Sequence, residues 1–512
     1  MFAKIAAATI SGFEASPVFV ETDITGGLPG FDLVGLPDTS VSESWQRVRS
    51  AVKNSGFSLP SGRIVVNLAP ADLRKEGSGL DLPIAVSILT SMELIPDTLS
   101  REYIFVGELS LNGELRHTRG VLPIALMALQ LGYKGIVLPR DNAREALVVP
   151  ELEVVSYATI GELVAAFSSG KAPVADLPTH DHERQADEIF AFNDMSGIKG
   201  QAMARRALEV AAAGGHNIIF SGPPGSGKTM LARALPSILP PLDFVEALDV
   251  TRIYSIKGLL PPGAGLIRQR PFRDPHHTIS DVALIGGGRS PGPGEVSLAH
   301  HGVLFLDELP EFKKSVLEVL REPLSSGSVS ISRAAQTCLF PARFLFAAAM
   351  NPCPCGFSTD PSSECVCDNR QISKYRQRLS GPLLVRIDLQ VHVPRLQPWE
   401  LAEKPAGESS ETVRERVVKA RALQKHRNDP AGMLLNANLS GKKIEQFCRI
   451  DSDSQKMLIA AARRFALSAR GYDKVLVIAR TIADLDESDS IAANHLAEAL
   501  QYRTTGLFDH FS

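Results

Sequence analysis

The chain has 512 residues, of which 44% are hydrophobic and 22% are charged, and its formal net charge is −3. This length predicts about three domains with sizeable cores, and the near-neutral charge excludes a generally basic surface, so an anion-binding surface must come from local clusters. No apolar run approaches the ~20 residues of a membrane-spanning helix, and the first residues lack a secretory leader pattern, so we expect a cytoplasmic protein without membrane contact.

Residues 1–167 alternate short apolar strands with helical stretches, which predicts a mixed α/β domain. The predicted strands are 64–68, 104–107, 136–139 and 154–155, and the predicted helices are 41–54, 82–91 and 122–131. Residues 168–190 are polar and lose this periodicity, so we predict a linker there.

The segment 222–229 reads GPPGSGKT and matches the phosphate-binding pattern G-x-x-x-x-G-K-[ST]. It follows an apolar run at 217–220, predicted to be a buried strand, and it precedes a predicted helix. In this motif the backbone N–H groups face a phosphate, the lysine reaches the β- and γ-phosphates, and the final hydroxyl binds Mg²⁺. The predicted nucleotide-binding residues are Gly222, Pro223, Pro224, Gly225, Ser226, Gly227, Lys228, Thr229 and Met230. A glycine-rich turn before an ordinary helix is the alternative.

A second apolar run, 303–306, ends in Asp307 and Glu308. Four consecutive apolar residues predict a strand that is buried on both faces, with two carboxylates where it emerges. We predict that Asp307 and Thr229 hold Mg²⁺ and that Glu308 orients the attacking water. Two solvated acids at a strand end are the alternative, but together the two motifs predict an ATP-hydrolysing core that uses ATP and Mg²⁺.

Three polar residues further along the chain fit the remaining parts of an oligomeric ATPase site. Asn351 ends the apolar run 344–350, which suits a sensor of the γ-phosphate. Arg386 precedes another predicted strand, which suits an arginine finger that acts on a neighbouring subunit. Arg470 opens a helix near the C-terminus and is predicted to close onto the phosphates. A strand-end asparagine and a surface arginine are often merely structural, but the order of the three along the chain supports them together.

Four of the six cysteines lie between positions 353 and 367 and form two C-x-C pairs. Four soft thiolates match a tetrahedral structural Zn²⁺ site, although C-x-C is tighter than the usual ligand spacing. The predicted zinc ligands are Cys353, Cys355, Cys365 and Cys367. A redox dithiol pair and simple buried cysteines are the alternatives.

Six segments carry a resemblance to a known family: Val34–Asp38, Val66–Lys75, Pro271–His277, Gly302–Phe312, Asn351–Gly356 and Ala479–Leu485. Together they resemble the magnesium-chelatase-like AAA+ ATPases over nearly the whole chain. The resemblance implies a homo-hexameric ring that binds ATP between its subunits, and it leaves open whether rings stack. An Asp is expected before the arginine finger, but Val385 occupies this position, which puts the action of the finger in doubt.

The resemblance also implies the domain organisation. A P-loop AAA+ α/β core at 191–396 would follow the N-terminal domain, and a helical lid at 397–512 would end the chain. The core would contain a helix-2 insertion at about 251–295 and a pre-sensor hairpin at about 325–341, which the alternating residues of that segment predict independently.

The N-terminal domain is chelatase-like in this comparison, and its block 73–80 resembles the Lon protease domain, which shares the fold of ribosomal protein S5 domain 2. Gly79 stands where a protease would have its serine, and Ile124 or a close neighbour stands where it would have its lysine. Ser78 and Lys75 are the remaining candidates for such a pair.

A more specific resemblance within the family implies a DNA motor. It would be a branch-migration helicase for branched or three-stranded DNA, aiding the integration of incoming single-stranded DNA during natural transformation. Arg333 on the predicted hairpin is the candidate DNA contact, whereas Lys313 and Lys314 also fit a solvated helix face. The alternatives are a magnesium-chelatase subunit, which would need a von Willebrand-type partner, and an ATP-dependent protease, which the missing serine–lysine dyad disfavours.

Overall fold

The computed structural model describes residues 1–97, 101–169, 192–288, 291–333, 336–397, 407–428 and 435–503, with only the backbone described at Arg333 and Gln336. The predicted linker at 168–190 lies almost entirely outside these ranges. Within them, no helix has the length and apolar character needed to cross a membrane.

A seven-stranded mixed sheet forms the N-terminal part. Its seven strands are β1 (Phe2–Ser11), β2 (Glu14–Thr25), β3 (Gly30–Val34), β4 (Arg63–Ala69), β5 (Tyr103–Phe105), β8 (Gly135–Pro139) and β9 (Glu153–Tyr157). Two further strands, β6 (Glu108–Leu109) and β7 (Leu115–Arg116), form a small separate ribbon. Its helices are α1 (Thr39–Ser42), α2 (Ser44–Asn54), α3 (Asp81–Ser91), α4 (Val121–Gln130), α5 (Ala143–Ala146) and α6 (Ile160–Ser168). The strand order is β3-β4-β2-β1-β5-β8-β9, antiparallel where β2 pairs with β1 and β4 and parallel elsewhere.

The predicted strands and helices of this part are present, but the longest strand pair, β1 and β2, was not predicted. The middle of β1, residues 5–8, is buried on both faces because the strand lies near the centre of the sheet. A strand of this kind shows no alternation of apolar and polar residues, and the alanines of residues 6–8 also favour helix. The periodicity of apolar residues therefore could not predict this hairpin.

A five-stranded parallel sheet forms the middle of the chain. The strands of this region are β10 (Ile218–Ser221), β11 (Phe272–Arg273), β12 (Gly286–Gly287), β13 (Gly292–Pro293), β14 (Val303–Leu306), β15 (Ser328–Arg333), β16 (Gln336–Pro341), β17 (Leu345–Met350) and β18 (Leu389–His392). Its helices are α7 (Ala202–Gly214), α8 (Lys228–Ile238), α9 (Phe244–Lys257), α10 (Asp281–Ile285), α11 (Glu295–Leu298), α12 (Lys314–Val319), α13 (Pro323–Ser326), α14 (Asn369–Arg376) and α15 (Gly381–Leu384). The strand order is β11-β14-β17-β10-β18, with parallel pairing throughout.

Both faces of this sheet are buried, as the apolar runs predict. In β14, Val303 and Phe305 join the core that α7 and α8 cover, whereas Leu304 and Leu306 join a second core on the opposite face. Because parallel strands end at the same edge, the residues that follow β10, β14 and β17 meet there. This edge carries the phosphate-binding motif, the two carboxylates and Asn351.

The segment expected as an insertion, about 251–295, is only partly irregular. Helix α9 runs on to Lys257 because a capping box at Asp243 starts it and Gly258 ends it in a left-handed conformation. Residues Phe272–Arg273 pair with β14 and belong to the core sheet. The predicted hairpin is present as β15 and β16, paired from Ser328 with Pro341 onward.

From Ser410 onward the named elements are helices, as predicted. They are α16 (Ser410–Asn428), α17 (Lys442–Phe447), α18 (Ser452–Arg464), α19 (Ala469–Leu485) and α20 (Ala493–Gln501). Helix α19 packs against α16 and α7 and so attaches this part to the middle sheet. An ion pair between Lys474 of α19 and Asp388, directly before β18, makes a second attachment.

The N-terminal part packs on helix α9. The carboxyl group of Glu145 accepts a hydrogen bond from Ser255 Oγ, and the backbone N–H of Gly120 donates to the Ser255 carbonyl at 3.1 Å. The guanidinium of Arg252 lies 4.1 Å from the centre of the Phe13 ring. Since Glu145 is buried, this contact is a true packing interface.

Candidate nucleotide-binding site and cysteine cluster

A cavity of about 430 Å³ lies where the phosphate-binding loop joins β10 to α8. This phosphate cavity is lined by Pro224, Gly225, Ser226, Gly227, Lys228, Thr229, Met230, Asp307, Glu308, Met350 and Asn351. Gly227 has a φ of 93°, which an L side chain adopts only with strain, and it leads directly into α8. Gly227, Lys228 and Thr229 at the start of α8 line the cavity, which places it at a helix N-terminus, a position that favours anions.

The side chain of Lys228 is folded against the loop and is 8% exposed. Its Nζ donates to the carbonyl oxygens of Gly222 at 2.8 Å and Pro223 at 2.9 Å, and to Asn351 Oδ1 at 3.3 Å. Burial lowers the pKa of Lys228, and the nearby carboxylates of Asp307 and Glu308 oppose this shift. The ammonium group thus stands between the loop and the sensor position, within the space that a phosphate would enter.

Thr229 and Asp307 come together as predicted, with Thr229 Oγ1 donating to Asp307 Oδ2 at 2.7 Å. A hydroxyl and a carboxylate are hard oxygen ligands of the type that Mg²⁺ prefers, and Mg²⁺ usually keeps several waters and phosphate oxygens besides. The pair therefore fits a magnesium ion that arrives with a nucleotide.

Glu308 lies at the mouth of the cavity, with 55% of its side chain exposed. Its backbone is left-handed at φ 52° and ψ 44°, a strained conformation for a residue with a side chain. This left-handed conformation turns the chain sharply after β14. The carboxylate is thereby placed where a water molecule can approach it.

Sequence reasoning missed the partner of this carboxylate. His277 Nδ1 lies 3.6 Å from Glu308 Oε2, and the centre of the His277 ring lies 4.1 Å from that of His276, with the two planes tilted by 34°. The two histidines belong to the segment Pro271–His277, which was singled out only for its resemblance. Glu308 is therefore held by the chain that leads from β11 to α10.

Arg386 and Arg470 lie elsewhere. Both line a second cavity of about 2030 Å³, the arginine cavity, which also involves the turn between β1 and β2 and the C-terminal helices. Arg386 donates from Nε to Ser325 Oγ at 3.0 Å. Burial, followed by the positive charges of Arg321 and Arg470, lowers the pKa of Arg386.

Arg470 does not line the phosphate cavity of its own chain, so its predicted closure onto the phosphates stays a prediction and would involve a neighbouring subunit's cavity. The Lys474–Asp388 ion pair attaches the second turn of α19 beside β18, close to Arg470. This contact joins residues 86 positions apart, so no local pattern could reveal it.

Asn217 was also missed, although it holds the main chain of the predicted finger. Its Nδ2 donates to the Arg386 carbonyl at 2.9 Å, and its Oδ1 accepts from the Phe346 N–H at 3.0 Å. Asn217 directly precedes β10 and was taken for part of that strand. Val385, found where an acid was expected, lines the arginine cavity beside Arg386.

The four clustered cysteines converge as a group. The Sγ of Cys353 lies 3.4 Å from that of Cys355 and 3.7 Å from that of Cys365, and Cys355 and Cys365 are 3.6 Å apart. The sulfur of Cys367 is within 4.8 Å of all three. A tetrahedron with Zn–S bonds of about 2.3 Å has edges of about 3.8 Å, so these thiols fit a zinc ion.

We therefore expect about one zinc ion per chain, and we expect Cys355→Ser to lose it while the distant sheets stay folded. Elemental analysis of protein purified without chelator measures this directly. Cys448→Ser is the matched control, because Cys448 is a buried cysteine outside the cluster and its loss should leave the metal in place. Wild-type protein without zinc would show that the thiols serve another purpose.

The structure describes the side chains of only some of the predicted DNA contacts. Arg333 ends β15, opposite Gln336, and its side chain lies outside the described residues. Lys313 and Lys314 are exposed at the start of α12.

A parallel sheet with a phosphate loop after one strand, two carboxylates after a second and a polar residue after the strand between them defines a P-loop protein of the AAA+ type. Comparison with known proteins agrees. The family described as "Magnesium chelatase, subunit ChlI" matches residues 194–401, "Subunit ChlI of Mg-chelatase" matches 20–142, and "Magnesium chelatase, subunit ChlI C-terminal" matches 407–503.

The similar proteins include two of nearly equal length. The competence protein ComM of Haemophilus influenzae is 44% identical over 497 residues, covering 96% of this chain and 95% of that protein. The protein YifB of Escherichia coli is 43% identical over 493 residues, with the same coverage of 96% and 95%. The magnesium-chelatase 67 kDa subunit of Chlorobaculum tepidum is 30% identical over 170 residues, covering 32% of this chain and 24% of that subunit. The chain belongs to the ComM and YifB family of magnesium-chelatase-like AAA+ proteins.

Proposed function

We propose that this protein is an ATP-hydrolysing ring motor that acts on DNA. In its most specific form the proposal is a branch-migration helicase that helps incoming single-stranded DNA to integrate during natural transformation. Similarity to a competence protein over 96% of the chain supports the biological setting. The division of the ATPase residues between two cavities supports the mechanism.

This division is the observation that carries the proposal. The phosphate cavity holds Lys228, Asp307 and Glu308, whereas Arg386 and Arg470 line the arginine cavity. Transfer of a γ-phosphoryl group needs positive charge at its oxygens, and an arginine from a neighbouring molecule is a common source. A neighbour that presents its arginine cavity to this phosphate cavity makes a head-to-tail contact, and such contacts form a ring where the rotation between neighbours closes. We propose a homo-hexamer.

The residues of the phosphate cavity would then share the work on ATP. Lys228 exchanges its contacts with the loop carbonyls for phosphate oxygens, and Asn351, which already accepts from Lys228, is placed to contact the γ-phosphate. Thr229 and Asp307 would hold Mg²⁺, which supplies charge neutralisation between the β- and γ-phosphates. Glu308 orients the attacking water and accepts its proton.

The C-terminal helices would act as a lid whose position depends on the neighbouring nucleotide. The Lys474–Asp388 ion pair links α19 to Asp388, which lies directly before β18 and two residues after Arg386. Movement of α19 would therefore also shift Arg386, the proposed arginine finger. ATP turnover in one subunit would in this way change the position of the arginine that acts on the next subunit.

We propose that the N-terminal part is a Lon-like scaffold without peptidase chemistry. Lys75 is buried and donates to the Pro70 carbonyl, while Ser78 donates to Glu108. The two residues thus face different partners, and neither activates the other. The contact of this part with α9 attaches it to the ATPase core, which suits a scaffold for oligomerisation or DNA contact.

The β15–β16 hairpin is the proposed DNA contact, through Arg333. If Arg333 binds a phosphate, Arg333→Ala should weaken DNA binding at every sequence and reduce the salt slope of log K by about 1, with basal ATPase retained. Fluorescence anisotropy with labelled single-stranded DNA over a salt series measures both quantities. Lys53→Ala is the control, because it removes an exposed positive charge from helix α2 of the N-terminal part, away from the hairpin in sequence. Unchanged affinity in Arg333→Ala would remove the hairpin from the DNA path.

A chelatase-type ATPase subunit remains the second candidate, because the matching family descriptions name a magnesium-chelatase subunit. The matched chelatase subunit from Chlorobaculum covers only 32% of the chain, which favours the DNA motor. Electron microscopy of the protein with ATP and forked DNA tests the proposal. We expect a closed ring around DNA. Rings that form only with a separate partner protein and a porphyrin would support the chelatase instead.

A further inference from the structure

The cysteine loop is packed directly onto the phosphate-binding loop. Gly356, between the two C-x-C pairs, has a φ of 88°, and a Cβ placed on it would lie 2.6 Å from Pro224 Cδ and 2.8 Å from Pro224 Cγ. Contacts this short do not occur, so the close approach depends on the missing side chain. The backbone N–H of Gly356 donates to the Cys353 carbonyl at 3.0 Å, which fixes the turn in this position.

The same loop continues the strand that carries the predicted sensor. Asn351 is followed after one residue by Cys353, whose side chain is fully buried. Asn351 Oδ1 accepts from Lys228 Nζ at 3.3 Å, and the carbonyl of Met350 accepts from the Gly222 N–H at 3.3 Å. The cysteine loop therefore touches both sides of the phosphate cavity, the loop side through Pro224 and the sensor side through the chain itself.

Apolar packing contributes little to the shape of this loop, which is held by the thiols and by polar contacts such as the hydrogen bond from the Ser362 N–H to Asp360 Oδ1 at 2.9 Å. Cys355, Cys365 and Cys367 are only half-buried, and Val366 between the last two is 82% exposed. A loop with so little buried apolar surface relies on a metal to define its structure, because ligand binding and folding are then the same event. Soft sulfur ligands select Zn²⁺ and similar ions over Mg²⁺.

We infer that the metal-filled cysteine loop is a clamp that holds Pro224 and Asn351 in the geometry for phosphate binding, so that metal occupancy controls affinity for nucleotide. This inference rests on the proposed role of the phosphate cavity in binding ATP. It assigns the metal a task at the nucleotide site beyond stabilising its own loop. It requires no DNA.

Removal of the metal tests the clamp. Binding of a fluorescent ATP analogue with Mg²⁺ is measured on zinc-loaded protein, on protein stripped of zinc by chelation and dialysis, and on stripped protein reloaded with Zn²⁺ or Cd²⁺. We expect the stripped protein to bind at least about tenfold more weakly and both soft ions to restore binding. Equal affinity in protein shown by elemental analysis to be metal-free overturns the clamp, whereas absence of binding to the zinc-loaded protein overturns the ATPase proposal itself.

A substitution tests the contact without removing the metal. Gly356→Ala should keep its zinc and bind the analogue about tenfold more weakly, because the added Cβ displaces Pro224. Gly132→Ala is the matched control, with a φ of 77° and no atom within 4 Å of the added Cβ. It imposes a similar backbone strain and should bind like wild type.

A second substitution removes the same contact from the other side. Pro224→Ala deletes the ring atoms that the cysteine loop touches at Gly356, so this variant should also keep its zinc and bind the analogue more weakly than wild type. Wild-type affinity in both Gly356→Ala and Pro224→Ala contradicts the clamp. If Gly356→Ala does not fold, the metal-removal experiment decides the question alone.

Discussion

Glu308→Gln is expected to lower ATP turnover by about 10²- to 10⁴-fold while ATP still binds, because the amide keeps the shape of the side chain but cannot accept a proton. Lys228→Ala should lose nucleotide affinity as well, since Lys228 lies inside the phosphate cavity. Steady-state ATPase assays, together with binding of a fluorescent ATP analogue, separate the two effects.

The control for Glu308→Gln is Glu311→Gln. Glu311 lies three residues further on, pairs with Arg378 at 2.7 Å and does not line the phosphate cavity, so it undergoes the same charge change outside the site. Its turnover should remain near that of the wild type. Wild-type turnover in Glu308→Gln would mean that another group activates the water, and His277, 3.6 Å from Glu308, would be the first to examine.

Arg386→Ala should reduce turnover by about 10³-fold or more, as expected for an arginine finger. Because Arg386 does not line the phosphate cavity of its own chain, the loss should be repairable by a neighbour. Subunits with Arg386→Ala keep Glu308, and subunits with Glu308→Gln keep Arg386. Mixing two inactive variants therefore creates some interfaces in which both groups are intact, and partial ATPase activity should return.

Failure of every mixing ratio to restore activity would contradict the assignment of Arg386. Attention would then turn to Arg376 and Arg378, which donate to the carbonyls of Pro352 and Pro310 in this structure. Val385 can be examined in the same assay. If an acid before the finger assists it, Val385→Asp should raise turnover, and an unchanged rate would show that this protein needs no acid at position 385.

The parts of the site that could be predicted are those encoded in short contiguous segments. The phosphate loop needs its glycines and lysine at fixed offsets, and the pair Asp307 and Glu308 needs only a buried strand before it. The structure brings Thr229 within 2.7 Å of Asp307, as those motifs imply. Convergence of the four cysteines was likewise foreseeable from spacing, because all four lie on one short loop.

The parts that could not be predicted depend on contacts between distant segments. Arg470 lies near Arg386, where Lys474 pairs with Asp388, and His277 reaches Glu308 because β11 adds to the sheet edge next to β14. The β1–β2 hairpin escaped prediction for another reason. The middle of β1 is buried on both faces, so it carries no periodic signal.

The central claim is that ATP hydrolysis drives movement on DNA inside a ring. The most direct test is the ATPase rate of the purified protein at low salt, with and without forked or three-stranded DNA, measured together with displacement of a labelled strand. The proposal predicts that such DNA raises the rate, that strands separate only with hydrolysable ATP, and that Glu308→Gln abolishes both. Protein that neither binds DNA nor changes its ATPase rate when DNA is added would contradict the motor, and an ATPase response to a porphyrin with Mg²⁺ in its place would indicate the chelatase function.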